Sequence, residues 1–183
     1  MTEIQSERVT STKRVYDGHI INFRVDSVIV QNGAASQREI VEHRGAIAVV
    51  PMLDRDTVIM VRQYRAAAAG VLLEIPAGTL DPDEEIEECA RRELAEEINY
   101  RPTSMVKLYS TYQAPGYSTE VIHSFLAYGL EPVDGETDAD EFIEIVTLPL
   151  KEAIAKIGQG EIRDCKSVAG LLYAEKILPT LVF

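Results

Sequence analysis

Hydrophobic positions near the start of the chain recur at every second residue, and in three later stretches at every third or fourth. Up to about Arg44 the short alternating runs read as strands: Arg14–Tyr16, then Ile20–Val30 after the turn Asp17-Gly18, then Arg38–Glu42. Gln31-Asn32-Gly33 separates the last two, and Asn-Gly between such runs is a hairpin signal because both residues accept positive φ. Ala46–Pro51 and Thr57–Gln63 are apolar strands joined by Asp54-Arg55-Asp56, and Leu72–Pro76 is a further short strand. A helix is expected from Pro82 to Ile98, with Asp81 as cap, Pro82 at the first position and Glu84 closing a capping box. Ile86, Ala90 and Leu94 form its buried stripe, with Cys89 a small core residue beside them. Met105–Tyr112, Glu120–Tyr128 and Phe142–Leu148 read as strands, and Lys151–Ile157 and Ser167–Ile177 as closing helices.

This order predicts an α/β protein in which helices sandwich a mixed sheet over residues 45–183. Residues 1–44 form a small antiparallel sheet region before it. That sheet is too small to stand alone, so pairing with a second subunit is expected.

At 183 residues, 46% apolar and 26% charged, the chain has the composition of one globular domain with a small appendage. Two cysteines exclude a disulfide scaffold and a Cys-rich zinc site. The longest apolar stretches are too short to cross a bilayer, and no apolar targeting segment stands at the N-terminus, so a cytoplasmic protein is expected. His19, His43 and His123 are scattered without metal-ligand spacing and read as structural.

The net charge of −12 disfavours nucleic-acid backbones as partners. Residues 81–97 account for −7 of it and 134–144 for −6, leaving the remainder at +1. A charge run alone is most simply a solvated face. Glu93, Glu96 and Glu97, however, share one side of the last helical turns, where each like-charge pair costs on the order of 2–3 kcal/mol. They also crowd the negative end of the helix dipole. A divalent cation reverses the sign of the arrangement, and an oxygen-only donor set points to Mg²⁺, with Mn²⁺ the substitute. Arg92 is either the surface partner of Glu88 or the residue that orients the three carboxylates.

The stretch Gly78–Tyr100 resembles the Nudix box: Gly, five residues, Glu, seven residues, Arg-Glu, an aliphatic, any residue, Glu-Glu, any residue, Gly, an aliphatic. Gly78, Glu84, Arg92, Glu93, Leu94, Glu96 and Glu97 fall at the required positions. Asn99 replaces the closing Gly and Tyr100 the aliphatic. The Gly would end the helix in the left-handed region, and Asn is the next most tolerant residue there. The resemblance implies a Nudix hydrolase of α/β/α sandwich fold, cleaving a nucleoside diphosphate linked to a further group. Glu93 and Glu97 would be the main metal ligands, with Glu96 and the Ala77 carbonyl assisting.

The resemblance extends further along the chain. Ala114-Pro115-Gly116-Tyr117-Ser118-Thr119-Glu120 is similar to the Ser-Pro-Gly-x-Ser-x-Glu segment of the ADP-ribose pyrophosphatase branch, with Pro115 15 residues past Tyr100. Arg62-Gln63-Tyr64-Arg65 and Leu73–Gly78 also match that branch. By this resemblance Ala114, Pro115 and Glu120 belong to the substrate site, and Arg65 and Arg38 bind phosphate or ribose as planar bidentate donors. Either arginine could instead be a strand-surface residue. Tyr16 or Phe23 is the candidate for adenine stacking.

The second acidic run fails as an EF-hand loop: counted from Asp138, the sixth position is Ile143 and the twelfth Pro149. In the pyrophosphatase branch an acidic loop here supplies the catalytic base. Glu141 matches best, with Asp140, Asp138 and Glu136 as rivals. The expected reaction is hydrolysis of ADP-ribose to AMP and ribose 5-phosphate by a homodimer. The alternatives are a broader enzyme for GDP-mannose or UDP-sugars, and a Nudix-fold binding module without catalysis.

Overall fold

Strand β4 (Ala46–Pro51) is buried along its whole length, and its alternation divides the core in two. In the computed structural model, which describes residues 4–135 and 142–181, Ala46, Ala48 and Val50 face one apolar cluster. Ile47 and Val49 face the other. Strand β5 (Thr57–Arg65) alternates in the same way, Val58 and Met60 against Ile59 and Val61. A strand with no polar face must be covered on both sides. Helices α2 (Leu150–Gly158) and α3 (Cys165–Ile177) contribute Ala153, Leu171 and Ala174 to the first cluster. Helix α1 (Ile86–Ile98) contributes Cys89, Ala90, Leu94 and Ile98 to the second. The result is the expected α/β/α sandwich.

The chain divides into two compact units, Met1–Gly45 with Tyr112–Val121, and Ala46–Thr111 with Ile122–Phe183. The second holds two sheets. In one, β4 lies between β7 (Ala77–Thr79) and β9 (Val121–Pro132), antiparallel to the first and parallel to the second, with β8 (Tyr100–Tyr112) beyond β9. This is the mixed sheet. In the other, β5 runs antiparallel between β6 (Gly70–Glu74) and β10 (Ile143–Pro149).

The first unit is the antiparallel sheet β1 (Arg8–Asp17), β2 (Ile21–Ile29), β3 (Ala35–His43). Its β2–β3 hairpin closes at the expected Asn32-Gly33, where Gly33 takes φ 84° and donates to the Val30 carbonyl at 2.8 Å. β1 is longer than the alternation indicates and is exposed throughout. Segment 114–120 lies alongside β3: Val41 N–H donates to the Tyr117 carbonyl at 2.8 Å, and Thr119 N–H to the Val41 carbonyl at 3.0 Å.

α1 begins four residues later than predicted. Asp83 is left-handed, φ 62°, and Glu84 N–H closes a turn onto the Asp81 carbonyl at 3.2 Å. The expected return contact does form, Asp81 N–H donating to Glu84 Oε2 at 3.1 Å. The helical cap is nevertheless Glu85, because the Glu84 carboxylate is drawn to Arg92. At the other end Asn99 is left-handed, φ 59° and ψ 38°, as its place in the motif requires.

Candidate active site

Arg92 organises the acidic helix. Its Nε and Nη2 reach the two Glu84 oxygens at 2.9 and 3.0 Å, a fork-on-fork pairing. Its Nη1 donates to both Glu93 Oε1 and Glu96 Oε2 at 2.9 Å. One guanidinium therefore orients three carboxylates, and its fork goes to Glu84 rather than to Glu88. The Glu84 carboxyl is held down to about 2, chiefly by the Arg92 hydrogen bonds, with burial opposing and the Asp81 N–H adding to the effect. The same contacts raise Arg92 above its ordinary value. Burial first, then the Glu84 carboxylate, pushes the Cys89 thiol up, in keeping with a core cysteine without chemistry.

Glu97 lies on the inner side of α1 and is 4% exposed. Its Oε2 accepts the N–H of Ala77 at 3.1 Å, which fastens the helix to the residue whose carbonyl was expected to assist. Glu93 packs against Gly78, where a Cβ would overlap its carboxylate. The motif glycine is thus a matter of close approach.

Among the described residues no three acidic, histidine or cysteine side chains converge into a ready-made cation cage. Mg²⁺ does not need one: it takes one or two carboxylates and fills its octahedron with water and phosphate oxygens. A buried carboxylate at Glu97, a second in the Gly78 cradle and a third within reach of Arg92 form an oxygen-only donor set that fits this habit.

The remaining candidates divide between the units. In the second, Arg65 lies at the end of β5 with its Nη2 on Glu74 Oε2 at 2.9 Å and its Nε on both Glu74 oxygens. Glu74 is 2% exposed and also receives Lys166 Nζ at 2.5 Å. Burial raises this carboxyl, and the two cations outweigh it, leaving it below its ordinary range. This buried cluster has no counterpart in the sequence reading, because its partners lie 92 residues apart. An acidic residue inside the apolar run Leu72–Ile75 was the one available signal.

In the first unit, Arg38 on β3 pairs with Glu7 through Nε at 2.9 Å and through Nη2, and donates to Ser36 Oγ at 2.9 Å. Its surroundings are those of a strand-surface residue. Ala114, Pro115 and Glu120 belong to the loop beside β3, where Tyr117 and Ser118 N–H both turn back to the Ala114 carbonyl at 3.0 and 2.8 Å. Glu120 N–H donates to Ser118 Oγ at 3.1 Å. Tyr16 and Phe23 are register partners on β1 and β2, so their rings share a face. His43 Nδ1 accepts the Gly45 N–H, and His123 Nδ1 meets Ser110 Oγ at 2.8 Å, both structural contacts. Glu136, Asp138, Asp140 and Glu141 lie outside the described residues.

A mixed sheet between helices, one of them carrying a clamped set of carboxylates next to a glycine cradle, defines an α/β/α protein with an acidic site on one helix. The NUDIX domain model matches residues 42–167, and the chain belongs to that family. It is 36% identical to an ADP-ribose pyrophosphatase of Bacillus subtilis (strain 168), with 92% of each chain covered. It is 36% identical to a methanol dehydrogenase activator of Bacillus methanolicus over 96% of each. It is also 40% identical to a GDP-mannose pyrophosphatase of Yersinia enterocolitica serotype O:8 / biotype 1B (strain NCTC 13174 / 8081), covering 81% of this chain and 83% of that one. The fold is shared with a crystal structure of an ADP compounds hydrolase, at TM-score 0.88, 23% identity and 98% of both chains.

Proposed function

We propose that this chain hydrolyses the diphosphate of ADP-ribose to AMP and ribose 5-phosphate, with Mg²⁺ as cofactor and Mn²⁺ as its substitute. The observation that carries the proposal is the Arg92 clamp on Glu84, Glu93 and Glu96, with Glu97 buried beside it. Nothing in helix stability favours three carboxylates, Glu93, Glu96 and Glu97, in the last turns of a helix whose C-terminal end is negative. Glu93 and Glu97 are the main ligands, with Glu96 and the Ala77 carbonyl assisting. A cation held by these residues would supply positive charge for the phosphate oxygens and acidify water.

Glu141, with Asp140 as its rival, takes the proton as water oxygen attacks one phosphorus. The bond from that phosphorus to the bridging oxygen breaks, and the second phosphate leaves with the bridging oxygen. Arg65, held by Glu74, and Arg38, once released from Glu7, bind phosphate or ribose. Ala114, Pro115 and Glu120 line the substrate. Residues 1–44 serve in pairing two copies and 45–183 in hydrolysis. The exposure of Val9, Val15 and Tyr16 along β1 supports such a homodimer. We place the enzyme in the cytoplasm, acting on nucleoside diphosphate sugars and not on nucleic acid or membranes.

A second reading, a GDP-mannose pyrophosphatase, is favoured by the 40% identity to such an enzyme. Phosphatase-coupled phosphate release from ADP-ribose, GDP-mannose and UDP-glucose separates the two. Turnover of ADP-ribose at least about tenfold above GDP-mannose is expected. Equal turnover defeats the narrow assignment, and no turnover of any substrate favours a binding module.

A further inference from the structure

Asn99 stands where the Nudix motif closes with Gly, and the helix end does not explain its side chain. At φ 59° and ψ 38° the backbone favours Gly over any other residue. The Asn99 side-chain oxygen instead accepts the N–H of Gly135 at 3.2 Å. Its main-chain carbonyl accepts the N–H of Val133 at 3.0 Å. Gly135 in turn lies so close to α1 that a Cβ there would overlap the carbonyl oxygen of Ala95 and crowd the Asn99 side chain. Backbone cannot yield as a flexible side chain can. Two tethers and one glycine therefore fix residues 133–135 to the C-terminal turn of the helix that carries Glu93, Glu96 and Glu97. The acidic run continues directly from Gly135.

We propose that Asn99 is a positioning residue: its side chain anchors Gly135, from which the acidic run continues in sequence, to the C-terminal turn of the helix that carries Glu93, Glu96 and Glu97. The proposal rests on the reading of that segment as the source of the base. Asn99 acts through Gly135 and touches no substrate.

Asn99→Gly is the decisive variant, because it restores the family's residue, relaxes the left-handed backbone and keeps the Val133 tether. If Asn99 only ended the helix, this change would leave kcat untouched. The expected result is a fall in kcat on the order of tenfold, as for a slightly displaced catalytic group, with KM within about twofold and Tm within about 4 °C of the original. Asn99→Asp keeps an oxygen acceptor and tolerates the same backbone, and is expected to retain most of the kcat. Gly135→Ala should lower kcat as Asn99→Gly does.

The contact itself is read without activity, from exchange of the Gly135 amide proton with water by NMR. Exchange should quicken in Asn99→Gly and not in Asn99→Asp. Original kcat in Asn99→Gly, or equal losses in Asn99→Gly and Asn99→Asp, overturns the proposal. If the unaltered protein hydrolyses nothing, the functional reading falls by itself. Unchanged Gly135 exchange in Asn99→Gly then removes the anchor as well, and quickened exchange retains it.

Discussion

Gly78 is the floor on which Glu93 rests: the space a Cβ would fill at residue 78 is occupied by the Glu93 carboxylate. The first residue of the motif and its central acid are thus one packing unit, 15 positions apart. Gly78→Ala must displace Glu93, and with it the hydrogen bond from Arg92 to Glu93 Oε1. The expected cost is about 1–3 kcal/mol of stability from overpacking. A larger effect, at least about tenfold in kcat/KM, should come from misplacing Glu93, the proposed metal ligand. Thermal denaturation and AMP formation read the two separately.

Acid should weaken the Arg92 clamp in a defined window. The Glu84 carboxyl falls from 4.5 to about 2 on folding, chiefly because Arg92 hydrogen-bonds its charged form. A carboxyl more acidic in the folded than in the unfolded chain stabilises the fold above its unfolded value. That contribution is lost as pH falls from about 4.5 toward about 2. Urea unfolding of the original and Arg92→Met should differ most above about pH 5, and the gap should narrow by about pH 3. A gap independent of pH contradicts the assignment.

Much of this was legible in the sequence, for physical reasons that differ by element. β4 and β5 stand out because strands buried on both faces are apolar runs, and α1 because Ala90 and Leu94 recur at helical spacing. β7 was missed: three residues, Ala77–Thr79, with a central glycine, offer no alternation to read. The start of α1 was misplaced because capping rules see Glu84 as a helix residue, whereas Arg92, eight positions on, takes its carboxylate. Nothing local marks the segment 112–121 as part of the first unit, since its bonds to β3 span some 76 positions. The motif acids could be named at sight, but that Arg92 binds Glu84, Glu93 and Glu96 together is knowable only in three dimensions.

The two cysteines should differ in reactivity. Cys89 is fully buried and its thiol is pushed up, first by burial and then by Glu84, while Cys165 is exposed. Only a thiolate attacks a disulfide reagent. An aromatic disulfide reagent should therefore titrate one thiol in the native protein and two in guanidinium chloride. Rapid reaction of both in the native state contradicts the packing of α1.

Lys166 should matter for stability far more than another paired lysine. Its Nζ lies 2.5 Å from Glu74, which is 2% exposed, and 2.8 Å from Asp164, the cap of α3. Lys166→Met leaves a buried carboxylate with one cation fewer, at a cost of about 3–5 kcal/mol. Lys156 pairs at 3.0 Å with the half-exposed Glu161, and Lys156→Met should cost under about 1 kcal/mol. Urea midpoints of the two variants measure the contrast, and similar values would refute it.

The claim that decides the rest is that Glu93 and Glu97 bind a divalent cation against a diphosphate. Titration calorimetry with Mg²⁺ in the presence of a non-hydrolysable methylene analogue of ADP-ribose tests it directly. The account predicts saturable uptake by the protein and little or none by Glu97→Gln. Absence of uptake by the unaltered protein, or equal uptake by both, contradicts it.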